Sequence, residues 1–144
     1  MKYSVSIDID APRQRVSDLL QDVDSLKEWL PDLVSHKQVK GEPGQVGAVA
    51  EMKVRMGKKE IDMTETVLLS KPPETYSATY EAQKVWNRVD NTLTALDNNR
   101  TRWTMDCEFR CGGFLWLIAL LMPSAFRKQS LKDMQRFKDF AERQ

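Results

Sequence analysis

The chain begins with a regular alternation. In YSVSIDID, Val5, Ile7 and Ile9 fall on one side and Ser4, Ser6, Asp8 and Asp10 on the other. A period of two marks a strand with one buried face. The period then changes. In APRQRVSDLLQD, Val16, Leu19 and Leu20 form an i, i+3, i+4 stripe, and Pro12 suits a first helical turn. VDSLKEWLPDL predicts a second short helix, stopped by Pro31. Alternation returns in AVAEMKVRM, with Ala48, Ala50, Met52, Val54 and Met56 on one face, and Gly57 marks a hairpin turn. EIDMTETVLL sets Ile61, Met63, Glu65, Val67 and Leu69 together; KPPE breaks the chain; TYSATYEA puts Tyr76, Ala78 and Tyr80 in phase. VWNRVDNTLTAL and RTRWTMDCEFR flank DNNR, whose asparagines tolerate positive φ in a tight hairpin. In the last of these strands Trp103, Met105, Cys107 and Phe109 share a face. The predicted order is one strand, two short helices and about six strands in meander.

The closing stretch, GGFLWLIALLMPSAFRKQSLKDMQRFKDF, raises the choice between a membrane anchor and a cover for the sheet. Its unbroken apolar run, Phe114–Met122, is nine residues long, whereas spanning hydrocarbon takes about 20. Beyond Pro123, the residues Phe126, Ser130, Met134, Phe137 and Ala141 recur at helical spacing. Arg127, Lys128, Lys132, Arg136 and Lys138 keep largely to the other faces. This pattern predicts a long amphipathic helix with its apolar stripe turned to the sheet. A sheet with one apolar face needs such a cover, so the fold class is α+β. Trp116 in the apolar run can serve as core, as a pocket lid or as a membrane-facing foot.

Composition narrows the classes. A chain of 144 residues suggests one domain over 1–144. The hydrophobic share is 41% and the charged share 30%, ordinary for a folded domain. A net charge of +1 gives no pull toward nucleic acid, and none is expected as a partner. The N-terminus has no basic stretch ahead of an apolar segment, so no secretory signal is read and a cytoplasmic location is expected. Cys107 and Cys111 are the only cysteines. Four strand residues span about 13 Å, beyond the ~4.4–6.8 Å Cα separation of a disulfide. With one histidine and two cysteines a zinc site lacks ligands, and no metal or other cofactor is expected.

With these elements in order, IDIDAPRQRVSDLLQDVDSLKEWLPDL resembles the opening of the START/Bet v 1-like superfamily. The likeness is greatest to the bacterial polyketide cyclase/dehydrase-like proteins often grouped as SRPBCC. The matching residues are Ala11, Pro12, Val16, Leu19, Leu20, Asp22, Trp29 and Pro31. GEPGQVGAVAEMKV, with Gly44 and Gly47, resembles the next signature, and KPPETYSATYE the proline-marked entry to a later strand. The resemblance implies a helix-grip fold, a curved antiparallel sheet of about seven strands wrapped around the C-terminal helix. It also implies a cavity between them for a hydrophobic ligand. It implies no single activity, and no catalytic motif of the family matches residue by residue.

Several residues are candidates for lining such a cavity. Glu65 falls by alternation on the inward face, where a carboxylate is costly unless paired or protonated. It is read either as a ligand-orienting or acid–base group, or as returned to solvent by a β-bulge or answered by a partner such as Arg88. Asn87 and Asn91 share a phase with Val85, Val89 and Leu93. That phase turns two amides inward, and the opposite one would turn Trp86 inward instead. Met52, Met56, Met63, Met105 and Met134 point inward by phase, as pocket lining or as plain core. Tyr80, Trp103, Phe126 and Ser130 complete the candidate wall. His36, the lone histidine, reads as a surface or half-buried side chain with no legible partner.

Three functions stay open. The first is binding of a hydrophobic or amphipathic small molecule (lipid-, quinone- or polyketide-like). The second is a cyclase/dehydratase- or hydrolase-type enzyme built on Glu65, weakened by the missing histidine partner. The third is an interaction module in which the Phe114–Met122 rim docks peripherally on a membrane or on a protein partner. The basic face of the last helix is read as a solvated face that could also favour anionic headgroups.

Overall fold

The computed structural model describes residues 1–113 and 121–144. Seven antiparallel strands form one sheet: β1 (Lys2–Ile9), β2 (Leu33–Lys40), β3 (Val49–Met56), β4 (Lys59–Lys71), β5 (Thr75–Ala82), β6 (Val85–Asp97) and β7 (Arg100–Cys111). Their order is β1-β7-β6-β5-β4-β3-β2. Strands β2 to β7 thus run as a meander, and the first strand closes against the last. The helices are α1 (Arg13–Gln21), α2 (Leu26–Trp29) and α3 (Pro123–Glu142). The fold is the α+β helix-grip arrangement, a seven-stranded antiparallel sheet wrapping the C-terminal helix, with two short helices after strand one.

Helix α3 begins at Pro123, which can open a helix because its missing N–H is not needed there. It lies along β1. Tyr3 and Ser130 share a hydrogen bond of 2.8 Å between hydroxyls. Lys138 Nζ donates to the Asp8 carbonyl at 2.8 Å, and the Asp10 amide donates to Glu142 at 2.8 Å. Below these bonds Met134, Phe137 and Ala141 are fully buried. Phe137 meets Trp29 and Trp103 edge-on, with centroids 5.1 and 5.2 Å away. This is the geometry that aromatic quadrupoles favour. Val5, Ile9, Val16 and Leu93 complete the core around them.

The second helix is shorter than its sequence suggests. Asp22 accepts from the Asp24 amide and the Ser25 hydroxyl, which winds Val23–Ser25 into a 3-10 turn. Leu30, ahead of Pro31, has ψ 80, as a residue before proline resists the helical region. The turn in DNNR also differs from expectation. Among the described residues the only non-glycine with positive φ is Lys84, so Asn98 and Asn99 are not left-handed. The turn is held instead by Asp97, which accepts from the Asn99 amide at 2.8 Å and from Arg100 at 2.8 Å. Gly57, φ 64, does what its hairpin requires.

Two apolar residues expected inside are not. Met56 is 60% exposed; it forms the closing pair of the β3–β4 hairpin with Lys59, and the described helices pack over β1, β2, β6 and β7 rather than there. Leu69 is exposed because the β4–β5 register shifts between Val67 and Leu69. Among the described residues no helix is long and apolar enough to cross a membrane.

Candidate functional site

Because the helices cover the ends of the sheet, a space is left over its middle. This cavity of about 360 Å³ is walled by the concave face of the sheet, α1, α2 and the first half of α3. Pockets of a few hundred cubic ångströms with mainly apolar walls are typical small-molecule sites. Its wall reaches the surface at Val23, Pro43 and Glu74.

One line of side chains crosses the sheet through the cavity. The register pairs Gln38 with Ala50, Ala50 with Glu65, Glu65 with Tyr80, Tyr80 with Asn87, and Asn87 with Phe109. Residues opposite one another in a ladder share a face, so four polar side chains, Gln38, Glu65, Tyr80 and Asn87, stand in one row on a mainly apolar wall. The row ends on Phe109, which packs on Phe126 and Tyr3.

Glu65 keeps its inward phase because the bulge in β4 falls after it. Its partner is His36, whose Nε2 lies 3.4 Å from Glu65 Oε1, with the two side chains 8% and 15% exposed. Arg88 is not the partner. It is on the other face of β6 and binds Asp90. The sequence alone shows no partner for His36, because Glu65 is 29 residues away. In β2 the alternation is inverted: Val39 is exposed while His36 and Gln38 line the cavity. Apolar alternation reads that strand inside out, which hides its bounds in the sequence.

Asn87 and Asn91 both line the cavity, and Trp86 lies on the opposite face under Arg110. Their situations differ. Asn91 accepts from Trp103 Nε1 at 2.9 Å and donates to the Tyr76 carbonyl at 3.2 Å. Asn87 Oδ1 is buried with no partner among the described residues, and so is Trp29 Nε1 on the same wall. Such orphans are rare in folded proteins. Burial, and then the charge of Glu65, push the Tyr80 and Tyr76 hydroxyls well above the usual phenol range. Burial likewise raises the Asp133 carboxyl, against the pull of Gln129 and Arg136.

Of the remaining candidates, Met52, Tyr80, Trp103, Met105, Phe126 and Ser130 line the cavity. Met63 and Met134 do not. Met134 is fully buried in the α3 core, and Met63 sits beyond the row toward the hairpin. Tyr3 and Trp29 belong to the wall and were not among the candidates. Tyr3 continues the phase of Val5 two residues earlier, a signal the sequence carried. The expected rim at Phe114–Met122, Trp116 included, lies outside the described residues except for Leu121 and Met122, which are exposed. Cys107 lines the cavity, and Cys107 and Cys111 are both free thiols. Among the described residues no group of three or more His, Cys, Asp or Glu is placed to hold a metal ion.

Comparison with known proteins agrees with this geometry. Zhui aromatase/cyclase from Streptomyces sp. R1128 superposes with a TM-score of 0.80 at 18% identity, over 99% of this chain and 94% of that one. A conserved protein from Geobacillus kaustophilus gives 0.83 at 16%, over 99% and 96%. A protein from Chromobacterium violaceum gives 0.77 at 16%, over 99% and 98%. At such identities the likeness is one of fold. Among curated proteins no sequence matches. The sequence does match, over residues 1–142, the family described as polyketide cyclase / dehydrase and lipid transport. The chain therefore belongs to this helix-grip, SRPBCC-type family and carries its hydrophobic-ligand cavity.

Proposed function

We propose that the protein binds a hydrophobic or amphipathic small molecule, lipid-, quinone- or polyketide-like, between the sheet and the C-terminal helix. The observation that carries this reading is the cavity itself. It is large enough for such a molecule, mostly apolar, and crossed by one row of polar groups that can fix a ligand's orientation. The orphaned atoms Asn87 Oδ1 and Trp29 Nε1 support it, since a bound molecule can supply the hydrogen bonds they lack. Native mass spectrometry of protein purified without detergent tests it. A co-purifying small apolar mass, lost on denaturation, is expected. Bare protein that also fails to take up an apolar probe would overturn the reading.

One observation favours a second reading, an acid–base enzyme of the cyclase/dehydratase kind. His36 and Glu65 stand 3.4 Å apart inside the cavity, an arrangement in which a carboxylate can orient an imidazole for proton transfer. The family description names cyclase, dehydrase and lipid transport together, so it supports carrier and catalyst equally. Turnover of an aromatic polyketide-like substrate that is lost in both His36→Ala and Glu65→Gln would favour the enzyme. Binding without turnover favours the carrier.

A further inference from the structure

The charges on the cavity wall are one-sided. The chain has 22 Lys and Arg against 21 Asp and Glu, yet none of the 22 lines the cavity among the described residues. Residues 114–120, FLWLIAL, carry no charged side chain by sequence. The wall does include the carboxylates of Glu65, Glu74 and Asp133, and among the described residues His36 is its one titratable nitrogen.

The three carboxylates are not equivalent. Asp133 is answered by Arg136 at 3.3 Å and by Gln129 at 3.1 Å. Glu74 is exposed at the mouth. Glu65 lies inside, with His36 at its Oε1 and Tyr80 directly across the ladder. A carboxylate has about four lone-pair sites, so Glu65 has accepting capacity to spare. One strand beyond Tyr80 is the unpartnered acceptor Asn87 Oδ1. Tyr76 and Tyr80, on the strand beside Glu65, add aromatic faces that attract cations. Trp29, only 7% exposed, carries the one orphaned buried donor among the described residues, suited to a carbonyl or ether oxygen in a ligand's apolar body.

A carboxylate or phosphate head would meet acceptors and negative charge here, in a space that screens both poorly. A protonated amine brings three donors and the opposite charge. We propose that the cavity selects an amphiphilic amine, with its head at Glu65 and Asn87 and its apolar body toward Phe109 and Trp103, and rejects fatty acids and other anionic lipids. This rests on the ligand-binding reading above and specifies the ligand's charge.

The test is displacement of the neutral probe N-phenyl-1-naphthylamine from the whole protein at about pH 8, above the ordinary histidine range. The competitors are dodecylamine, dodecanol and dodecanoate, each below its micellar concentration. Dodecylamine should displace the probe at roughly tenfold lower concentration than dodecanoate, with dodecanol between them. In Glu65→Gln the amine-to-acid ratio should fall to about threefold or less. Dodecanoate competing as well as dodecylamine in the wild type would overturn the proposal, and so would an unchanged ratio in Glu65→Gln. If the variant does not fold, the wild-type order still decides. A probe that is not taken up at all overturns the ligand-binding reading itself, whereas uptake without amine preference overturns only the selectivity.

Discussion

Asn87 and Asn91 are the same residue type, on the same face of the same strand, four positions apart. Their chemistry differs because of what stands beside them. Asn91 is bound to Trp103 and to the Tyr76 carbonyl, so its polar atoms serve the protein. Asn91→Leu leaves the Trp103 N–H without its acceptor and should cost about 1–3 kcal/mol. Asn87 Oδ1 has no partner to lose. Asn87→Leu removes a buried unsatisfied acceptor, so stability in the absence of ligand should hold or rise. Urea melts of the two variants check both statements, and equal losses would mean that Asn87 is structurally bound after all. The sequence placed both amides inward by phase. It offered no way to tell them apart, because the difference depends on Trp103, twelve residues away across a hairpin.

Along the elements, helix α3 and strand β1 carry most of the closure. Phe137 is fully buried and edge-on to two tryptophans. Phe137→Ala should cost about 3–5 kcal/mol, the range for removing a buried aromatic ring. A loss under about 1 kcal/mol in chemical denaturation would contradict the packing described. On the far side of β1, Asp8 accepts two hydrogen bonds from Arg102 of β7. That bonding, aided by the positive charge of Arg102, holds the Asp8 carboxyl below the usual carboxylate range. A carboxyl whose folded pKa lies below its unfolded value favours the fold above about pH 4, and this contribution fades as pH falls through the folded pKa. Asp8→Asn should therefore flatten the acid limb of the stability curve below about pH 4. An acid limb parallel to that of the wild type would mean the pair contributes nothing.

The legibility of these elements follows from their amphipathicity. The stripe Phe126, Ser130, Met134, Phe137 and Ala141 predicted α3 because one face is covered and the other wet. Strand β2 escaped because its cavity side bears His36 and Gln38 while Val39 faces water. A strand lining a partly polar cavity loses the contrast that periodicity depends on. The exposure of Leu69 was illegible for another reason. A bulge exchanges the faces of a strand without any fixed residue signal.

At the scale of the molecule, the fold was legible early because local periodicity, turn positions and family resemblance all pointed to one sheet and one covering helix. The cavity was legible only in outline. Most expected wall residues line it, but its polar row crosses strands β2 to β6, and a row of that kind is a property of register rather than of any one segment. Uptake of an apolar molecule is the property on which the cavity's role rests. The most direct measurement is calorimetric titration of N-phenyl-1-naphthylamine into the wild type and into Val89→Trp, whose larger side chain would occupy the middle of the wall. One saturable site per chain is predicted for the wild type, and loss of that site in a variant that still melts cooperatively. Binding of equal strength in a folded Val89→Trp variant, or no binding to the wild type, would contradict it.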